Sequence, residues 1–399
     1  MEDHEIFKNI TVLSLEQATV LPYLTYRLSL DGAKVIRMEH PVYGDPNRRV
    51  GENRLNEDRM YTYFLAINCN KQAITLDLGT PEGQEIFKRL LVELNVDIFS
   101  TNQLPRNYKK LGIDYDTVKA TKKDIIWVGL TGFGPDSNEA AYDPVLQARS
   151  GLMDLTGDRS GPPYVLSVPL PDMGTSEHAY GLTMKALFKR ATTGEGTRID
   201  LSMFQSSVSW LTVPITQTKS FNKKITRRGN THEFFAPVSV YKTKDGYAYI
   251  AVGNDIQWER MLQIEGFASL AKPEYGRNEG RIKDVENLNR AIEEATQRYT
   301  TDDLIALFTK ATIPISKVNG IGEVLEDPYV KDEILTSTDP KTGTTIYLAP
   351  PPLTNSYIKS IGKKLPFPPR FGEQNEEIYN KKLGYSMEKL EEFKSKGII

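Results

Sequence analysis

The chain has 399 residues, with 50 Lys and Arg against 52 Asp and Glu, giving a formal charge of −2. Such a balance removes the general electrostatic case for nucleic acid or an anionic membrane surface as partner. At roughly 100–200 residues per domain, the length allows two to three domains or one large domain with an insertion.

Residues 10–15 (ITVLSL) and 34–38 (KVIRM) read as strands. Between them Tyr23, Leu24, Tyr26, Arg27 and Leu30 suit a helix. Residues 72–78 (QAITLDL) make a third strand, followed by Thr80-Pro81, an N-cap with proline at the first helical position. Ile86, Phe87, Leu90, Leu91 and Leu94 then form one apolar helical face. Residues 97–100 and 125–130 (IIWVGL) are further buried strands. Alternation of this kind predicts an α/β fold with a parallel, doubly wound sheet and helices on both faces.

The pattern breaks near residue 220, where 219–230 (KSFNKKITRRGN) is basic and aperiodic and reads as a linker. Residues 238–241 and 247–253 flank Lys244-Asp245-Gly246 as a hairpin, and helical patterns follow at 258–266, 285–298 and 301–311. Two proline-fixed extended stretches, 348–353 (LAPPPL) and 364–370 (KLPFPPR), precede a helical tail broken at Gly384. The expected layout is a large α/β domain begun by 1–220, a small α+β domain at 225–325, and a return of 326–399 to the large domain.

Several chemistries lack their signatures. There is no G-x-G-x-x-G, no phosphate-binding P-loop and no G-x-S-x-G elbow. The single Cys69 cannot form an intrachain disulfide, and His4, His40, His178 and His232 have no metal-ligand spacing, so no metal is expected. No run approaches about 18 uncharged apolar residues, and the acidic start is unlike a secretory signal, which predicts a cytoplasmic protein without a membrane span. The densest loop chemistry lies in 129–153 and 168–178 (VPLPDMGTSEH). There Asp172 precedes a helix, where amides stabilise a carboxylate either as a plain N-cap or as a reactive group. Residues 193–200 (TGEGTRID) read as a glycine turn that closes one helix and launches a strand.

At these residues the chain resembles the class III CoA-transferases, the family of formyl-CoA:oxalate and carnitine CoA-transferases and of α-methylacyl-CoA racemase. Gly32-Ala33-Lys34-Val35-Ile36 with Glu39, Gly44-Asp45-Pro46 with Arg48, and Asn68-Cys69-Asn70-Lys71 carry the first part. Residues 76–83 (LDLGTPEG), Gly132-Phe133-Gly134-Pro135, Tyr142-Asp143-Pro144, Gln147-Ala148, Ser150-Gly151-Leu152-Met153 and Thr193-Gly194-x-Gly196 continue it. Arg228-Gly229-Asn230, Lys244-Asp245-Gly246, Gly372-Glu373 and Leu383-Gly384-Tyr385-Ser386 complete it. The resemblance implies a Rossmann-like large domain with a smaller inserted domain, in an interlocked dimer of ring-like subunits. It implies CoA transfer from an acyl-CoA donor to a carboxylic acid through an aspartyl anhydride and an aspartyl-CoA thioester, with CoA thioesters as substrates and no cofactor. Asp172 stands at the family's catalytic aspartate, and Tyr142 is expected as a hydrogen-bond partner at the reacting carbonyl. For CoA binding the resemblance points to Thr19, Val20, His40, Leu76, Asn102 and Lys110.

The match departs from the family in places. The first loop has Val20-Leu21-Pro22 where Ala-Gly-Pro is usual, His40 replaces an arginine, and Asn102-Gln103 keeps an amide but loses an aromatic. Residues 231–237 (THEFFAP) replace a glycine-rich loop, so Phe234 and Phe235 either pack in a core or line a pocket for an aromatic or branched acid. A racemase would need a second base, and Tyr142 stands where its histidine would be. Similarity to the two-subunit benzylsuccinate CoA-transferases, enzymes of anaerobic aromatic degradation that use succinyl-CoA, leaves three assemblies open. These are a homodimer, a heterodimer or heterotetramer with a paralogue, and a non-catalytic subunit of such an assembly.

Overall fold

The computed structural model describes residues 7–399; His4 lies outside them. Contacts divide the chain into two compact units. The first comprises residues up to Gly151, Leu166–Phe221 and Asp332–Ile399; the second comprises Leu152–Val165 and Asn222–Lys331.

The first unit is built on six parallel strands: β1 (Thr11–Leu15), β2 (Lys34–Glu39), β3 (Lys71–Thr75), β4 (Ile98–Thr101), β5 (Ile126–Thr131) and β6 (Thr197–Ser202). Their order is β3-β2-β1-β4-β5-β6, so the expected doubly wound α/β sheet is present. Strand alternation explains its two apolar faces. Leu13 and Leu15 of β1, Ile36 and Met38 of β2 and Trp127 of β5 join one core with Phe87 and Leu90 of the Pro81–Glu93 helix. Val12, Val35, Ile126 and Val128 face the other way, against Leu24 and Leu28 of the Val20–Leu30 helix and Ala179 of the Leu170–Thr193 helix.

Local chemistry sets the element ends. The Thr80 hydroxyl accepts the Gly83 amide at 3.0 Å, capping the Pro81–Glu93 helix as its Thr-Pro start predicts. The Leu170–Thr193 helix ends on left-handed Gly194 at φ 74°. Two residues on, a Cβ on Gly196 would lie 2.2 Å from the Ile125 carbonyl oxygen, so only glycine lets β6 start against β5. Residues 76–78 are not strand: after Thr75 the chain leaves the sheet and Asp77 bonds the Ile398 carbonyl at 2.8 Å. The exposed edge of β3 is closed by side-chain amides of the C-terminal return. Gln374 accepts the Ala73 amide at 2.6 Å, Asn375 accepts that of Thr75 at 2.9 Å, and the Tyr379 hydroxyl donates to the Thr75 carbonyl at 2.7 Å. A short antiparallel ribbon, Leu335–Thr338 with Thr345–Leu348, also belongs to this unit.

The second unit has an antiparallel sheet of Val238–Lys242, Tyr247–Ala251 and Ile315–Lys317, the first two forming the expected hairpin. Its core gathers Tyr241, Ile250, Trp258, Phe267, Leu288 and Phe308, with helices Asp255–Met261, Val285–Thr296 and Thr301–Lys310. Among the described residues, no helix is long and apolar enough to cross a membrane.

Candidate active site

In a sheet of this order the connections reverse direction between β1 and β4, which opens a crevice at their carboxyl ends. The residues that follow those two strands, Glu16–Val20 and Asn102, therefore border the place where such sheets take ligands. The turn from β1 is held on both sides. Asn102 accepts the Gln17 amide through Oδ1 at 3.2 Å and donates through Nδ2 to the Gln17 carbonyl at 2.8 Å. Asp45 Oδ1 accepts the Ala18 amide at 3.0 Å, and Asn47 Nδ2 donates to the Ala18 carbonyl at 2.6 Å. Ala18 sits in the left-handed region at φ 62°, which costs a non-glycine residue about 1–2 kcal/mol.

Asp172 is the third residue of the Leu170–Thr193 helix, whose N-cap is Pro169; it is therefore not the N-cap aspartate that local sequence allowed. Its amide donates to Asp143 Oδ2 at 3.2 Å, and its carbonyl accepts the Ser176 hydroxyl at 2.9 Å. The same hydroxyl donates to the Val20 carbonyl, joining the β1 turn to the first turn of this helix. No described residue donates a hydrogen bond to the Asp172 carboxylate. Burial, reinforced by the Asp143 charge, pushes its pKa up to about 7. Asp143 opens the Asp143–Ser150 helix and accepts Gln147 Nε2 at 2.6 Å; burial raises its pKa as well. The two carboxyls, Asp143 buried and Asp172 partly buried, are coupled, and burial raises the pKa of both.

The other expected residues differ in burial and in the partners they bind. Tyr142 occupies the N-cap position before Asp143 but is 75% exposed, and its side chain makes no cap bond. Thr19 is buried, with its hydroxyl 3.1 Å from that of Tyr63. Val20 and Leu76 are buried in the two apolar cores, so a ligand would meet their backbone. His40 is half-exposed after β2; its Nδ1 accepts the Val42 amide at 3.1 Å, and its ring lies 4.6 Å from that of Tyr43. Leu76 bonds the Glu39 carbonyl at 2.8 Å, which brings His40 and Leu76 side by side at the ends of β2 and β3. Lys110 is exposed, and its carbonyl accepts Gln84 Nε2 at 2.9 Å. His178 bonds Ser206 at 2.7 Å and stacks on Trp210 at 5.3 Å. Phe234 and Phe235, in the second unit, are 38% and 43% exposed and flank the His232 ring.

Sequence reading missed two features. In the sequence Asp143 is only a motif residue, and its Asp-Pro helix start is the available sign that its carboxyl faces a helix end. Nor does the sequence announce the buried ion network beneath the turn. There Glu16, Glu39 and Asp45 meet Arg37, Arg48 and Lys71, all at most 5% exposed.

Residues 7–375 match the model of CoA-transferase family III. The succinyl-CoA:glutarate CoA-transferase of Mus musculus is 29% identical over 398 residues, covering 98% of this chain and 90% of the relative. The formyl-CoA:oxalate CoA-transferase of Streptomyces coelicolor is 28% identical over 415 residues, with 98% of each chain covered. The crystal structure of a CAIB/BAIF family protein from Brucella suis superposes with a TM-score of 0.81 at 29% identity, covering 93% of this chain and 98% of that one.

Proposed function

The chain belongs to CoA-transferase family III, and from that membership we propose that it moves CoA from succinyl-CoA to a dicarboxylic acid through covalent intermediates on Asp172. The observation that carries this reading is the Asp172 carboxyl. Its main chain is tied to the crevice turn through Ser176, and no described residue donates to its lone pairs.

The reaction needs no proton inventory. The Asp172 carboxylate attacks the donor thioester carbonyl and expels CoA thiolate, leaving an aspartyl–succinyl anhydride. The thiolate attacks the aspartyl carbonyl, releases succinate and leaves an aspartyl-CoA thioester. The acceptor carboxylate repeats the cycle in reverse and regenerates the free carboxylate. A carboxylate is a weak nucleophile, so the rate rests on placement and on keeping water out. Asp143 is a positioning residue in this reading, since it holds the Asp172 amide and raises the energy of the ionised nucleophile.

The relatives' names point to short dicarboxylates as acceptors. An aromatic or branched acid is the second reading, resting on the Phe234-Phe235 pair in the sequence. Incubation with succinyl-CoA should convert glutarate to its CoA thioester with release of succinate, from a protein that light scattering finds as a dimer. Preference for an aromatic acid would favour the second reading, and exchange with no acid would end the proposal. A racemase would use Asp172 as one base, but neither Tyr142 nor His178 bonds into the site as the other.

Only the ionised form of Asp172 attacks. In the free enzyme kcat/KM should therefore rise with pH along a limb centred at about 7. Asp143→Asn removes the neighbouring charge, and its limb should move toward lower pH. An unmoved limb would mean that another group sets it.

A further inference from the structure

The turn after β1 has all four backbone polar groups of Gln17 and Ala18 bonded by side chains from other segments. Asn102 takes both groups of Gln17, while Asp45 and Asn47 take those of Ala18. The restraint is applied where Ala18 holds a left-handed conformation at φ 62°. Behind the clamp Asp45 is itself fixed, by Arg37 Nη2 at 2.7 Å and by its own amide on Glu39 at 3.0 Å. Ahead of it the Val20 carbonyl accepts the Ser176 hydroxyl, which also bonds the Asp172 carbonyl at 2.9 Å. The route from Asn102 to Asp172 thus consists of hydrogen bonds and four residues of turn backbone.

We propose that Asn102 is a positioning residue, which fixes the Gln17-Ala18 turn and through Val20 and Ser176 sets where Asp172 stands. Its Oδ1 and one Nδ2 hydrogen are committed to Gln17, so its main work is on the turn and not on CoA. Small errors of placement are costly for a weak nucleophile: about 1 Å can cost 10²-fold in rate. The proposal rests on the covalent reading of Asp172, and the test separates the two.

The rate of CoA-adduct formation on Asp172 would be followed by rapid quench and intact mass in wild type, Asn102→Leu, Ser176→Ala and the double variant. Binding of free CoA would be measured on the same four proteins. Asn102→Leu should slow adduct formation by about 10–100-fold while CoA affinity changes by less than ~3-fold. In the Ser176→Ala background the same change should cost only a few fold, because the route is already cut. Ala18→Gly should restore part of the rate lost in Asn102→Leu, since glycine holds the turn without the clamp. Should Asn102→Leu not fold, Asn102→Asp keeps the acceptor, loses the donor and should show the same pattern at smaller size. Equal losses in rate and CoA affinity would overturn the proposal in favour of direct contact, and so would effects that multiply. Wild type forming no adduct would instead remove the covalent reading on which it stands.

Discussion

Asp172→Ala is expected to lower CoA transfer by at least about 10³-fold, because it deletes the nucleophile and leaves only binding and electrostatic contributions. The fold should survive. The carboxylate accepts no hydrogen bond from a described residue, so its removal orphans no donor, and the amide bond to Asp143 and the Ser176 bond to the carbonyl both persist. Stability should even improve under some conditions. The folded-state pKa of about 7 lies above the ordinary carboxylate value, so the advantage of keeping this group protonated is complete at acid pH and is lost as pH rises through about 7. Asp172→Asn should therefore melt a few degrees above wild type at pH 8 and level with it at pH 4. Near-normal transfer by Asp172→Ala, or a lower melting temperature for Asp172→Asn at pH 8, would contradict this role.

The second large effect is on stability. Arg37, fully buried in β2, sits 2.7 Å from Asp45 Oδ2, 3.2 Å from Glu39 and 3.8 Å from Glu16, over the Phe64 ring. Lys71 completes the set, 3.0 Å from Glu16 and 2.8 Å from the Pro22 carbonyl. Burial alone would raise the Glu39 pKa, but Arg37 and Arg48 hold it down to about 2. Burial lowers Lys71 to about 8 against the pull of Glu16. Three carboxylates balance three cations, so the network is tolerable only whole. Arg37→Met keeps much of the volume, removes one cation and strands Asp45 in a dry site, while Glu16 keeps Lys71 and Glu39 keeps Arg48. The expected cost is about 3–5 kcal/mol, seen as a lower urea midpoint for the unit that contains the parallel sheet. Loss of under ~1 kcal/mol would mean that water reaches these carboxylates. Since Asp45 also holds Ala18, transfer should weaken even where the variant remains folded.

The sheet was legible because its signals are local. Alternating residues in β1, β2 and β5 face two cores, Thr80-Pro81 caps a helix, and Gly194 and Gly196 punctuate a helix-to-strand turn, each from its own few residues. Asp172 was found by resemblance; local chemistry alone fitted an N-cap, and Pro169 holds that position instead. What stayed hidden depends on residues far apart in sequence. Asp143 lies 29 positions from Asp172 and Asn102 lies 85 from Gln17, and no periodicity links such pairs. The same holds for β3, where Gln374 and Asn375 complete the edge from 301 and 300 positions away. A polar side chain in a loop reads as surface until the fold gives it a backbone to bind.

The most direct test is intact-protein mass spectrometry after incubation with succinyl-CoA, followed by hydroxylamine trapping and peptide mapping. A CoA-sized adduct is expected, with the trapped product on Asp172 and none in Asp172→Ala. An adduct mapped to another residue, or transfer that proceeds with no adduct at all, would contradict aspartyl catalysis by this chain.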